Sequence, residues 1–146
     1  MIQDVMKKSL FVLLLVCVSV PVMAKDVLVF TDAWIREAPP MARSLAGYVT
    51  IKNNSETVVV IDAMSSPLFA AVKMHNMSMH NGMMHMSHLS SVTLQPNESV
   101  VFESGGKHLM LMKPKQALTS GMIVPVTFAL ASGRAYTADF TVRGKD

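Results

Sequence analysis

The segment MHNMSMHNGMMHMSHL, Met74 to Leu89, contains the strongest hairpin signal in this 146-residue sequence. At its centre, Asn81-Gly82 is the dipeptide most typical of a two-residue β-hairpin, because a type I′ turn needs positive φ at both central residues. A hairpin closed by this pair predicts the following cross-strand partners: His80 with Met83, Met79 with Met84, Met77 with Met86, and His75 with His88. The local sequence therefore predicts a strand pair and its register.

The two faces of this hairpin differ in chemistry, because successive side chains of a strand point to opposite faces. One face is predicted to carry thioethers and imidazoles: His75, Met77, Met79, Met84, Met86 and His88. The other is predicted to carry Asn76, Ser78, His80, Met83, His85 and Ser87. On the first face His75 and Met86 are diagonal neighbours, within reach of side chains of their length.

The rest of the sequence consists of short strand-like runs separated by Gly, Pro and Asn turns. This pattern predicts an all-β sandwich or barrel, with helical periodicity confined to a single turn at Pro67–Ala71. The predicted strands are Val27–Thr31, Leu45–Lys52, Thr57–Ala63, Val72–Met79, Met83–Leu94, Ser99–Glu103, His108–Met112, Val124–Leu130 and Tyr136–Val142.

The N-terminal segment 1–24 has the features of a cleaved secretory signal. Lys7 and Lys8 precede a short apolar run, and Val22-Met23-Ala24 supplies small residues at the −3 and −1 positions, so cleavage is expected after Ala24. Val16 stands before Cys17 where lipid attachment needs a small residue. We therefore expect a soluble exported protein with one domain at 25–146 and no membrane span after cleavage.

The composition of this expected mature chain excludes several functions. Eleven Lys and Arg stand against nine Asp and Glu, without a dense basic cluster, so nucleic acid is not an expected partner. The only cysteine, Cys17, leaves with the signal. A blue-copper electron-transfer site needs a Cys thiolate and is therefore excluded. No nucleophile–base–orienter set is recognisable, so an enzyme is not expected.

A second cluster of donors lies in GGKHLMLMK, where His108 and Met110 are predicted to share one strand face and Leu109 and Leu111 the other. All five histidines of the chain fall between positions 75 and 108. Thioether sulfur selects Cu(I), and imidazole suits copper generally. Zinc is disfavoured, because its protein sites use Cys, His and carboxylate.

The spacing His75-x10-Met86-x21-His108-x-Met110 resembles the copper-binding signature of the periplasmic PCuAC-type copper chaperones. Further matches are AWIREAPP (33–40), AGYVTIKN (46–53), NGMMHM (81–86) and GGKHLMLM (105–112). The resemblance implies a cupredoxin-like Greek-key β-sandwich that binds Cu(I) through His75, Met86, His108 and Met110. It also implies a periplasmic, monomeric carrier that delivers copper for assembly of the cytochrome c oxidase copper site, alongside Sco-type thiol proteins.

Several alternatives remain open at this level. The extra His and Met residues are also compatible with copper sequestration. His80 and His85 are either solvated side chains or part of a weaker Cu(II) site, and His88 is either an alternative ligand opposite His75 or part of that weaker site. Met84 and Met112 are either packing residues or auxiliary ligands. Met64 and Met122 are expected to fill the core, and Trp34 to anchor it.

Overall fold

The computed structural model describes residues 27–144, so the predicted signal peptide 1–24 and Cys17 lie outside the described residues. Within this range the secondary structure is all-β, and no helix is long and apolar enough to cross a membrane. The ten strands are β1 (Leu28–Arg36), β2 (Ser44–Asn53), β3 (Val59–Ser65), β4 (Phe69–His80), β5 (Met83–Leu89), β6 (Val92–Leu94), β7 (Ser99–Phe102), β8 (Lys107–Pro114), β9 (Ile123–Leu130) and β10 (Ala135–Arg143).

Three predicted elements differ substantially from the structure. The strand predicted at Val27–Thr31 begins at Leu28 and continues to Arg36 as β1. The predicted run Met83–Leu94 is divided into β5 and β6. The predicted helical turn at Pro67–Ala71 is wrong: Pro67 and Leu68 form a β-turn, in which the Phe69 N–H donates to the Ser66 carbonyl at 3.3 Å. Phe69 then begins β4 directly, because its side chain is buried in the core.

The strands form a sandwich with the order β5-β4-β8-β2-β1-β10-β9-β3-β6. Strand β1 is antiparallel to β2 but parallel to β10, so the chain does not form a simple meander. Strand β2 pairs with β8 through its first half and with β7 through its second. The predicted all-β architecture is confirmed, and β4 lies between β5 and β8 near one end of the strand order.

The core is aliphatic and aromatic, and its largest fully buried side chains are Phe102, Phe128 and Phe140. Trp34, predicted as a core anchor, is instead half-buried on the outer surface. Alternation along β1 turns Ile35 into the core and Trp34 outward. There its ring packs on Tyr48 with centroids 4.7 Å apart. Met64 and Met122 pack against the core as predicted.

Asn53 is the one fully enclosed amide among the described residues, and it joins the end of β2 to β6. Its side-chain NH₂ group donates to the carbonyls of Thr57, Leu94 and Gln95 at 2.7, 3.2 and 3.0 Å. Its side-chain oxygen accepts from the N–H and the hydroxyl of Ser55. Because a buried polar group is costly without partners, this network makes Asn53 a structural residue.

Candidate metal centre

The hairpin forms with the register that the sequence predicts. Asn81 and Gly82 both have positive φ, 51° and 76°, as a type I′ turn requires. His75 pairs with His88, Met77 with Met86, and Met79 with Met84. The face that collects imidazole and thioether donors is therefore confirmed for β4 and β5.

Strand β8 extends this face on the other side of β4. His108 pairs with His75, and Met110 pairs with Lys73. Leu109 and Leu111 point inward and are fully buried, as predicted from their alternation with His108 and Met110. The imidazole of His75 thus lies between two others, with ring centroids 5.6 Å from His88 and 5.8 Å from His108.

The imidazole of His108 is oriented by the backbone of the preceding turn. Its Nδ1 lies 3.1 Å from the Gly106 carbonyl, and only 8% of the residue is exposed. A carbonyl only accepts, so Nδ1 carries the proton and the neutral ring keeps its lone pair on Nε2. A backbone carbonyl on the far nitrogen is the usual support of a metal-binding histidine. The same carbonyl accepts the Met77 N–H at 3.1 Å, which ties β4 to this turn.

The imidazole of His75 has a nitrogen that lacks a partner. Its Nδ1 is buried and makes no hydrogen bond within the described range. Buried polar atoms are nearly always paired with protein, water or an ion, so His75 is a position at which a further partner is required. Burial lowers the pKa of His75, and the neighbouring His108 and His88 lower it further. Its imidazole is therefore neutral, and able to bind a metal, to a lower pH than an ordinary histidine.

The two thioethers of the predicted set lie on opposite diagonals of His75. Met86 on β5 pairs with Met77, two residues from His75 toward the hairpin turn. Met110 on β8 pairs with Lys73, two residues from His75 in the opposite direction. Met86 is 54% exposed, whereas Met110 is half-buried. Among residues 27–144 no group of three or more His, Cys, Asp or Glu side chains is placed to hold a metal.

The structure separates the remaining candidates. His88 and Met84 share the face of His75, whereas His80 and His85 lie on the opposite face of the hairpin. Met112 is on the shared face but pairs with Ala71, beyond the Lys73–Met110 pair. Sequence reasoning missed the role of the Gly106 carbonyl, although Gly105, with φ of 83°, marks the turn that positions it.

Comparison with solved structures defines the class of fold. The copper-bound PCuAC domain from PmoF2 is 17% identical, with a TM-score of 0.69 over 84% of this chain and 97% of that chain. The apo PCuAC domain from PmoF1 is 18% identical, with a TM-score of 0.67 over 82% and 96%. The solution structure of the Cu(I) form of DR1885 from Deinococcus radiodurans is 26% identical, with a TM-score of 0.66 over 84% and 81%.

A family model of LpqE-like lipoproteins matches residues 28–142, and the chain belongs to this LpqE-like family. The resemblance to PCuAC-type proteins is thus confirmed for family and fold. A search of curated proteins found no match.

Proposed function

We propose that the protein is an exported carrier of Cu(I), which it binds through His75, Met86, His108 and Met110. The observation that carries the proposal is the adjacency of two imidazoles on one sheet face, His75 with an unpaired buried nitrogen and His108 with its Nε2 lone pair free. Met86 and Met110 flank His75 diagonally, at a separation that long side chains can bridge. Copper in the PmoF2 domain and Cu(I) in DR1885 support this choice of metal.

The donor set favours Cu(I) over other ions. Thioether sulfur is a soft ligand that selects Cu(I), whereas Cu(II) prefers nitrogen and oxygen donors in tetragonal geometry. The sequence between 27 and 144 contains no cysteine, so a thiolate cannot take part. In this proposal the site keeps copper reduced, and without a thiolate it does not form a blue-copper electron-transfer centre.

The exposure of the hairpin favours transfer of the ion. Met86 lies on β5, the first strand of the sheet order, and is largely exposed. A partner's ligands reach the ion from this side while His108, which is buried, still holds it. Copper then leaves by stepwise ligand exchange. The recipient in this proposal is the copper-site subunit of cytochrome c oxidase, with Sco-type thiol proteins as partners, and the setting is the periplasm after cleavage behind Ala24.

The test is an anaerobic Cu(I) titration of the mature chain against a competing chelator. Met86→Leu and Met110→Leu should each weaken binding about tenfold or more, because each removes a sulfur ligand but keeps the side-chain volume. Met83→Leu is the matched control, since Met83 is an exposed methionine on the opposite face. Unchanged affinity in the double Met86→Leu/Met110→Leu variant would contradict the proposal.

Delivery is tested separately from binding. Cu(I)-loaded protein is mixed with a purified oxidase copper domain, the two are separated, and the copper on each is measured. Net transfer supports the carrier. If the protein keeps its copper in the presence of an acceptor with higher Cu(I) affinity, the result supports the second candidate function, sequestration. That function is favoured by the methionines that the hairpin carries in addition to the four proposed ligands.

A further inference from the structure

The outer part of the hairpin carries three thioethers that the four-residue site does not use. Met79 pairs with Met84 across the two strands, and Met77 is the next same-face residue on β4, diagonal to Met84. All three point to the face that holds His75.

The backbone hydrogen-bond pattern of β4 determines which of these side chains lie closest to one another. The Met77 N–H donates to Gly106 on the β8 side, so it points away from β5. Met77 therefore belongs to a non-hydrogen-bonded pair with respect to β5, and by alternation so does Met79. Such pairs have the shorter Cα separation, about 4.5 Å, which places Met79 close to Met84. Met77 is directly opposite Met86 and reaches Met84 as a diagonal neighbour, within the range of long side chains.

Core filling does not explain this cluster. Met79 and Met84 are 69% and 50% exposed, so they contribute little buried surface, in contrast to Met64 and Met122, which pack on the core. An edge strand with large exposed apolar side chains also invites aggregation. Three flexible thioethers concentrated at such a position are therefore better explained by a ligand than by packing.

We propose that Met77, Met79 and Met84 form a second binding site for a soft monovalent ion, Cu(I), on the outer part of the hairpin. Three thioethers supply a neutral, all-sulfur set that suits Cu(I) and excludes Cu(II), which prefers nitrogen and oxygen. The proposed second site uses none of His75, His108 and Met110, so its existence can be tested separately from that of the four-residue site. The full chain then carries two ions.

Ag(I) is the probe, because it is a soft monovalent ion that stays in one oxidation state in air. Native mass spectrometry of the mature protein should show two bound Ag(I) ions. The triple variant Met77→Leu/Met79→Leu/Met84→Leu should retain one and should bind the other about tenfold more weakly or worse. The control Met83→Leu, which changes an exposed methionine on the opposite hairpin face, should retain both.

The ε-methyl NMR signals of methionine assign the ions to positions. Filling of the second site should shift the signals of Met77, Met79 and Met84 and leave that of Met83 in place. These shifts should persist in Met110→Leu, which impairs only the four-residue site. Absence of Ag(I)-dependent shifts at Met77, Met79 and Met84 in the wild type, undiminished Ag(I) binding in a folded triple variant, or loss of the hairpin shifts in Met110→Leu would each overturn the proposal.

Discussion

The lowered pKa of His75 makes a quantitative prediction about copper binding and pH. A protonated imidazole cannot bind copper, so acidification weakens binding once the pH falls through the pKa of a ligand. A single histidine ligand with the ordinary pKa of about 6.5 would lose roughly tenfold in affinity between about pH 7.5 and about pH 5.5. Because burial and the neighbouring imidazoles lower the pKa of His75, its share of the affinity loss moves to lower pH. We expect His75 to contribute less than about tenfold over this range.

The assay is a Cu(I) competition titration across this range, with NMR titration of His75 in the metal-free protein. His88→Gln removes one of the neighbours that lower the pKa of His75, so it should raise that pKa and enlarge the affinity loss on acidification. His80→Gln is the matched control, because His80 lies on the opposite face. The reasoning is refuted if His88→Gln leaves the affinity loss on acidification unchanged, or if His75 titrates at or above its ordinary value.

Three further predictions concern the fold and the spectrum. Asn53→Ala should lower the free energy of unfolding in urea by about 5 kcal/mol, because it removes five hydrogen bonds that contribute about 1 kcal/mol each. Asn54→Ala, the control, should change it by less than about 0.5 kcal/mol. Gly82→Ala should cost about 1 kcal/mol, since a Cβ there meets no atom within 4 Å and the penalty comes only from its φ of 76°; an unchanged unfolding midpoint would contradict this. The Cu(II)-loaded mature protein should lack the intense visible absorption of a thiolate-bound blue site. If this absorption band were present in the spectrum, the proposed ligand set would be wrong.

The hairpin could be predicted from sequence because its determinants are local. Asn81-Gly82 specifies the turn, and strand alternation then assigns every donor to a face. The relation of His75 to Met86 followed from this register and is confirmed. By contrast, the pairing of His75 with His108 is non-local. The resemblance to PCuAC-type proteins implied only that both histidines bind copper, and no pattern within either segment specifies which residue of β8 lies across from His75.

The wrong prediction for Trp34 also depends on strands that are distant in the sequence. Alternation on β1 says that Trp34 and Ile35 point to opposite faces, but it does not say which face is buried until β10 and β2 are placed around the strand. The ligand geometry is likewise beyond the sequence: Met86 and Met110 lie on opposite diagonals of His75 only because β5 and β8 flank β4 on opposite sides.

The register that creates the candidate metal centre is fixed on the buried side of the same strands. Val72 pairs with Leu111 and Met74 with Leu109, and all four side chains point into the core. Slipping β8 by one residue would exchange its faces, burying Met110 and exposing the leucines.

Gly47 on β2 makes room for this packing, because a Cβ there would lie 2.9 Å from Leu111 Cδ1. The hydrophobic core therefore holds His108 across from His75 without using any of the four proposed ligands as a structural support. Under the proposed function, this division allows the hairpin face to exchange Cu(I) while the sandwich beneath it stays intact.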